Sequence, residues 1–251
     1  MTRARADHRM LCVFAHPDDE CYGPGGAIAR YALSGVDVRV LMFTRGEAGS
    51  IGASGEIPGR ELSRLRTREL ACSCRALGVR SHRILGVPDK GVGRADPERA
   101  VAEIARDIDD HRPHVVLTFH GRGVSGHPDH IAVAGLLDRA FAAGGEGGPL
   151  KYYQWGIPRE LTRLYDRPNL VPMEADEVAC VIDVAPAAMD RKVAAIECHE
   201  TQIEFFRSLE RSFDYRVVAS KEYFALRDSR IPRSDALEDD LFRGVPGWGG
   251  G

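Results

Sequence analysis

Met10-Leu11-Cys12-Val13-Phe14-Ala15-His16-Pro17-Asp18-Asp19-Glu20 runs six apolar residues straight into a knot of imidazole and carboxylate. A continuous apolar run this short fits a strand buried on both faces, the kind found in parallel sheets. A polar cluster at its carboxyl end then lies where such sheets bind ligands. Working outward, Val38 to Phe43, Arg83 to Leu85 and Val115 to Phe119 read as further strands, with Tyr152 to Gly156 and Val178 to Ile182 later. Helices are predicted between them over Gly25 to Ser34, Arg60 to Leu77, Pro97 to Asp110, Pro128 to Phe141 and Pro186 to His199. Leu62, Leu65, Leu70 and Leu77 form an apolar stripe that Gly78 closes, and Pro97 suits a first helical turn. Gly46 to Gly59 and Gly144 to Pro149 read as loops. Strand–helix alternation of this kind predicts an α/β, Rossmann-like, doubly wound and mostly parallel sheet with helices on both faces. One domain is expected over residues 1–228, followed by an irregular, partly mobile tail over 229–251.

Composition narrows the class. With 251 residues, 43% of them hydrophobic, the chain can bury a core, so it is neither disordered nor a small disulfide scaffold. A net charge of −3 with no basic stripe argues against nucleic acid or an anionic membrane as the partner. The six cysteines form no CxxC pair and read as reduced thiols, Cys12 and Cys180 inside apolar strands. Met1 to Arg9 is polar and basic, unlike a signal peptide, and no apolar run approaches the ~20 residues of a membrane span. A soluble, cytoplasmic protein is expected, acting on a small molecule and able to form a homo-oligomer.

A second cluster, Gly126-His127-Pro128-Asp129-His130, opens the helix a few residues after the strand Val115 to Phe119. The topology brings both clusters to one edge of one sheet. His16, Asp19 and His130 together offer two imidazoles and one carboxylate, a donor set suited to Zn²⁺ that leaves a position for water; Fe²⁺ suits it too. A turn through Pro17 would aim Asp18 away from the metal and leave it free to take a proton from water. His127, about one helical turn before His130, would face the same cavity and, as an imidazolium, stabilise an oxyanion or protonate a leaving amine. Asp129 would orient one of the rings, or simply cap the helix. Either cluster alone is readable as a proline-containing turn. Two of them at strand carboxyl ends point to a metal site.

These residues carry a resemblance. AHPDDE after the first strand and GHPDH about a hundred residues on are similar to the LmbE-like (PIG-L) family of zinc-dependent N-acetylglucosaminyl deacetylases. Gly25-Gly26-Ala27, Thr44-Arg45-Gly46-Glu47, Arg66 with Glu69, Pro88-Asp89 (Lys90 standing where the family has glycine), and Lys192 with His199-Glu200-Thr201-Gln202 extend it over most of the chain. The resemblance implies His16, Asp19 and His130 as zinc ligands, Asp18 as general base and His127 as the acid or electrostatic partner. It implies substrate contacts from Arg66 and Asp89, with Arg64 a rival to Arg66. Glu47 joins the substrate candidates, closure of its loop being the alternative. Glu20 either enters the site or holds the loop, and His199 caps or packs a helix end. The expected activity is removal of an N-acetyl or other N-acyl group from an amino sugar or glycoconjugate. Siblings acting on a thiol conjugate or an antibiotic amino sugar, and a non-catalytic metal- or sugar-binding module, are the alternatives. A dinucleotide fold is disfavoured, because Ile28 stands where the third glycine of Gly23-Pro24-Gly25 would fall.

Overall fold

Strand β1 (Arg9–Phe14) is flanked by β2 (Asp37–Met42) on one side and β4 (Val115–Phe119) on the other, both parallel to it. The computed structural model from which this architecture is read describes residues 8–49, 57–145, 147–165, 169–212 and 214–250. Parts of the loops expected over Gly46 to Gly59 and Gly144 to Pro149, and most of the polar amino terminus, lie outside the described residues. With β3 (Ser81–Ile84), β5 (Lys151–Gly156), β6 (Cys180–Asp183) and β7 (Lys221–Ser229), the sheet has seven strands in the order β3-β2-β1-β4-β5-β7-β6. The first five run parallel, and β7 is antiparallel to both its neighbours. Because β1 leads one way to β2 and the other way to β4, the strand order reverses between β1 and β4. That switch point opens a crevice beyond their carboxyl ends, and both sequence clusters emerge into it.

Among the described residues ten helices accompany the strands: α1 (Asp19–Tyr22), α2 (Gly25–Leu33), α3 (Gly59–Leu77), α4 (Pro97–His111), α5 (Gly123–Gly126), α6 (Pro128–Ala143), α7 (Arg159–Thr162), α8 (Pro186–Glu197), α9 (Ile203–Ser212) and α10 (Tyr215–Val218). They pack as two groups, α2 and α3 with α8, and α4 with α6, the two layers a doubly wound sheet requires. Strand β4 is buried at every position and β1 at all but its first, which is why both read as unbroken apolar runs. No helix among the described residues is long and apolar enough to cross a membrane.

Strand β7 escaped the sequence reading because its Lys-Glu-Tyr-Phe-Ala-Leu-Arg-Asp-Ser mixes charge with apolar residues. Its Glu222 points inward and is buried. There it accepts hydrogen bonds from the Gly26 and Ala27 amides at 2.8 and 2.7 Å and from Lys192 Nζ at 2.7 Å. It thus satisfies the open amino end of α2. Gly26 admits no side chain: a Cβ there would sit 2.6 Å from Val184 Cγ2.

The described segment after Ser229 is irregular, and buried side chains anchor it. Leu241 and Phe242 are fully buried, and Asp240 accepts hydrogen bonds from Tyr31 Oη and Trp248 Nε1 at 2.9 and 2.8 Å. Lys151 Nζ and Glu238 form a buried ion pair at 2.7 Å. These anchors are single residues without a period, so nothing in the pattern announced them.

The cysteine expectation needs correction. Cys72 of α3 and Cys198, just past α8, form a disulfide across 126 residues, while Cys12, Cys21, Cys74 and Cys180 are free and buried. Only the packing of α3 on α8 brings the pair together. Closing so long a loop restricts the unfolded chain, an effect of about 2–5 kcal/mol. Cys72→Ser, or a reductant, is therefore expected to lower the melting temperature by roughly 5–15 °C. An unchanged melting curve under reductant would show that the cross-link contributes nothing.

Candidate active site

Beyond Phe14 the chain turns at His16-Pro17-Asp18-Asp19, and the turn depends on strain. Asp18 has φ 111°, a left-handed value that costs a residue with a Cβ about 1–3 kcal/mol. Hydrogen bonds hold it there: Asp19 Oδ2 accepts from the His16 amide at 2.7 Å and Glu20 Oε2 from the Asp18 amide at 3.0 Å. The Arg66 guanidinium donates to Asp18 Oδ2 at 2.8 Å, to the Pro17 carbonyl, and to the Gly46 carbonyl at 3.0 Å. Adjacent carboxylates thereby diverge, Asp19 toward two histidines and Asp18 toward Arg66 and the cavity.

His130 comes from the first turn of α6. Its Nδ1 bonds the Gly123 carbonyl at 3.1 Å and its ring stacks on Phe119 at 3.9 Å, so Nε2 is aimed at the crevice. That Nε2 lies 3.3 Å from His16 Nδ1 and 3.3 Å from Asp19 Oδ1, and His16 Nδ1 is 3.5 Å from Asp19 Oδ2. Ligands about 2.0–2.1 Å from a tetrahedral ion stand about 3.3 Å apart, so the three donors fit a zinc-sized cation. Charge agrees with geometry. On its far side His16 Nε2 faces Asp89 Oδ1 at 3.2 Å and Asp129 Oδ2 at 3.3 Å. Burial would lower the His16 imidazole, yet Asp129, Asp19 and Asp89 push it up to about 12. Three carboxylates around one ring leave negative charge for a cation to offset.

Asp129 therefore orients His16; its other oxygen accepts from the Val92 amide at 3.1 Å. Burial raises the Asp18 carboxyl to about 7 against the pull of Arg66, with Asp19 adding to the rise. A carboxylate so placed is a competent proton acceptor near neutral pH. His127 caps α6, its Nδ1 accepting from the Asp129 amide at 3.2 Å, which assigns the ring hydrogen to Nε2. Its ring centroid is 4.8 Å from that of His16 and 4.9 Å from that of His130. Burial, then His130 and His16, lower its pKa, which favours the neutral ring over the imidazolium.

The residues expected to touch substrate lie outside the described lining of the cavity. Arg66 is buried and spent on Asp18 and backbone carbonyls, and Arg64 is on the exposed face of α3. Glu47 Oε1 accepts from the Asp89 amide at 2.9 Å, and Asp89 Oδ2 from the Ala48 amide at 2.9 Å. The pair latches the loops after β2 and β3 behind His16. None of the three belongs to the described lining of the cavity of about 270 Å³ beside the donors. Its walls are Tyr22, Phe119, Trp155, Tyr165 and Tyr215, which in sequence look like ordinary core aromatics. Val124 also lines it, at φ 61°, a rare conformation for a β-branched residue. Lys90 has φ 61° as well, which explains why glycine suits its place after Pro88-Asp89.

Comparison with known proteins shows the family and the fold. Residues 11–141 match the sequence pattern of the PIG-L family, GlcNAc-PI de-N-acetylase. The 1D-myo-inositol 2-acetamido-2-deoxy-alpha-D-glucopyranoside deacetylase of Acidothermus cellulolyticus is 33% identical, over 94% of this chain and 94% of its own length. That alignment is 283 positions long, longer than this chain, so the relative carries extra internal residues. Among solved structures, the 4-carboxy-2-hydroxymuconate hydratase of Pseudomonas putida KT2440 superposes with a TM-score of 0.69 at 22% identity, covering 91% of this chain and all of that one. The N,N'-diacetylchitobiose deacetylase of Pyrococcus horikoshii gives 0.62 at 20% identity, covering 87% and 83%. Such identities establish the fold alone, and a hydratase on the same fold shows that fold does not fix the reaction.

Proposed function

The chain belongs to the PIG-L family of de-N-acetylases, and from that premise we propose that it removes the N-acetyl group of a small amino sugar or glycoconjugate with the aid of Zn²⁺. The observation that carries the reading is the convergence of His16 Nδ1, Asp19 and His130 Nε2 within 3.3–3.5 Å, with Asp18 beside them and outside the donor set. These three would hold the ion, which when bound polarises the amide carbonyl and acidifies water. Fe²⁺ is an acceptable occupant for the same donors.

The chain's own residues supply the rest. Asp18 accepts the proton of the attacking water as the new C–O bond forms at the carbonyl carbon. His127 donates from Nε2 to the carbonyl oxygen as charge builds there, a role that suits a neutral ring with Nδ1 already engaged. The proton held by Asp18 passes to the nitrogen as the C–N bond breaks, giving an acid and a free amine. Arg66 keeps Asp18 aimed throughout. Because the Acidothermus cellulolyticus relative carries internal residues that this chain lacks, the part of the substrate beyond the sugar is expected to differ.

Incubating the zinc-loaded protein with N-acetylglucosamine, diacetylchitobiose and N-acetylglucosaminyl-inositol tests this. Acetate and free amine are expected to appear in equal amounts from at least one. Zinc at one per chain with no acetate from any N-acetylated sugar would instead support a binding module.

A further inference from the structure

We propose that Glu20, the residue after the motif's two aspartates, is a positioning residue for Asp18; the proposal rests on the hydrolytic reading above. Glu20 is fully buried and meets no part of the cavity. Its Oε2 accepts from the backbone amide of Asp18 at 3.0 Å, and its Oε1 from Ser73 Oγ at 2.5 Å and His199 Nε2 at 2.7 Å. The carboxylate is thus fixed from the scaffold side by two donors and spends its free oxygen on the one peptide held at φ 111°.

Helix α3 organises this from both ends. Arg66, Glu69 and Ser73 are spaced three and four apart and are all buried on one face. Arg66 grips the Asp18 side chain and Ser73 grips Glu20. Between them Glu69 accepts from the amide and hydroxyl of Thr201 at 2.8 and 2.7 Å, which fixes the segment that carries His199. Cys72 and Cys198, chain neighbours of Ser73 and His199, are cross-linked beside them. Asp18 is therefore gripped at its carboxylate and at the preceding Pro17 carbonyl by Arg66, at its own carbonyl by the Cys21 and Tyr22 amides, and at its amide by Glu20. Without Glu20 the Asp18 amide loses this acceptor, the left-handed φ loses the hydrogen bond that offsets its strain, and the peptide turns toward an ordinary negative φ, which moves the carboxylate out of line with the attacking water while leaving His16, Asp19 and His130 in place.

Glu20→Ala is expected to lower kcat about 100-fold, the usual effect of misplacing a reacting group by an ångström, at unchanged KM and one zinc per chain. Glu20→Gln is expected to stay within about tenfold of the parent. Its carbonyl can face the Asp18 amide while its NH₂ meets Ser73 and His199, both able to accept. A merely structural role predicts no such kcat–KM split and no rescue. Amide exchange at Asp18, fast in the alanine variant and slow in the parent, reports the same grip without any turnover. It therefore separates this proposal from the hydrolytic reading, which fails on its own if the parent releases no amine. Should Glu20→Ala not fold, Ser73→Ala decides: about threefold to tenfold loss of kcat with faster Asp18 exchange supports the proposal. Unchanged kcat and unchanged exchange in either variant overturns it, as does loss of zinc in a folded Glu20→Ala.

Discussion

Asp18→Asn is expected to keep its metal and lose about 10²- to 10⁴-fold in amide hydrolysis, the range that removing a positioned general base commands. The substitution preserves volume and leaves an oxygen to accept from Arg66 Nη2, now 2.8 Å from Asp18 Oδ2. It removes the capacity to take a proton. The metal should stay because Asp18 is turned away from the three donors by its backbone at φ 111°, toward Arg66 rather than His16. Zinc content and kcat, measured on the same preparation, check both halves. An Asn variant with full activity would remove Asp18 from the mechanism.

His16→Ala carries the other large effect, and it is of a different kind. This ring presents Nδ1 to the cation position and Nε2 to Asp129 and Asp89. Its loss deletes one ligand of three and strips the hydrogen-bond donor from two carboxylates, one of them almost completely buried. Zinc is expected to fall well below one per chain and activity to background. Stability is expected to fall by about 1–3 kcal/mol for the orphaned carboxylates. His130→Ala, which removes a ring whose Nδ1 bonds the Gly123 carbonyl and no carboxylate, should lose zinc with a smaller stability cost. Metal analysis beside thermal unfolding distinguishes the two. A His16→Ala protein that still holds one zinc per chain would overturn the donor set.

The gathering of His16, Asp19 and His130 at one point was legible because three independent rules converged on it. Unbroken apolar strands imply a parallel sheet, a parallel sheet binds at strand carboxyl ends, and imidazoles with a carboxylate suit zinc. The side on which each neighbour stands was not legible. Arg66 meets Asp18, and Asp89 and Glu47 meet the loops behind His16, contacts that the spacing of the motifs did not reveal. Spacing on a helix or loop gives proximity to a motif but not direction of approach. The state of His127 was hidden for a related reason, since it depends on two rings brought within 5 Å by the fold. The Cys72–Cys198 link and the anchoring of residues 238–248 rest on contacts between distant segments, which leave no periodic trace.

The placement of β7 between β5 and β6 has a consequence for how the chain is made. Synthesis delivers β6 before β7, yet among the described residues β6 pairs within the sheet only with β7, and its one further bridge is to Glu238, later still. A nascent chain that has reached residue 220 has already made β1 and β4, which carry the catalytic clusters. It still exposes one edge of β5 and both edges of β6. Unpaired strand edges are where unfinished chains join one another. The carboxyl-terminal segment, which supplies nothing to the chemistry, thus determines whether a newly made molecule closes its own sheet or completes it with a neighbour's.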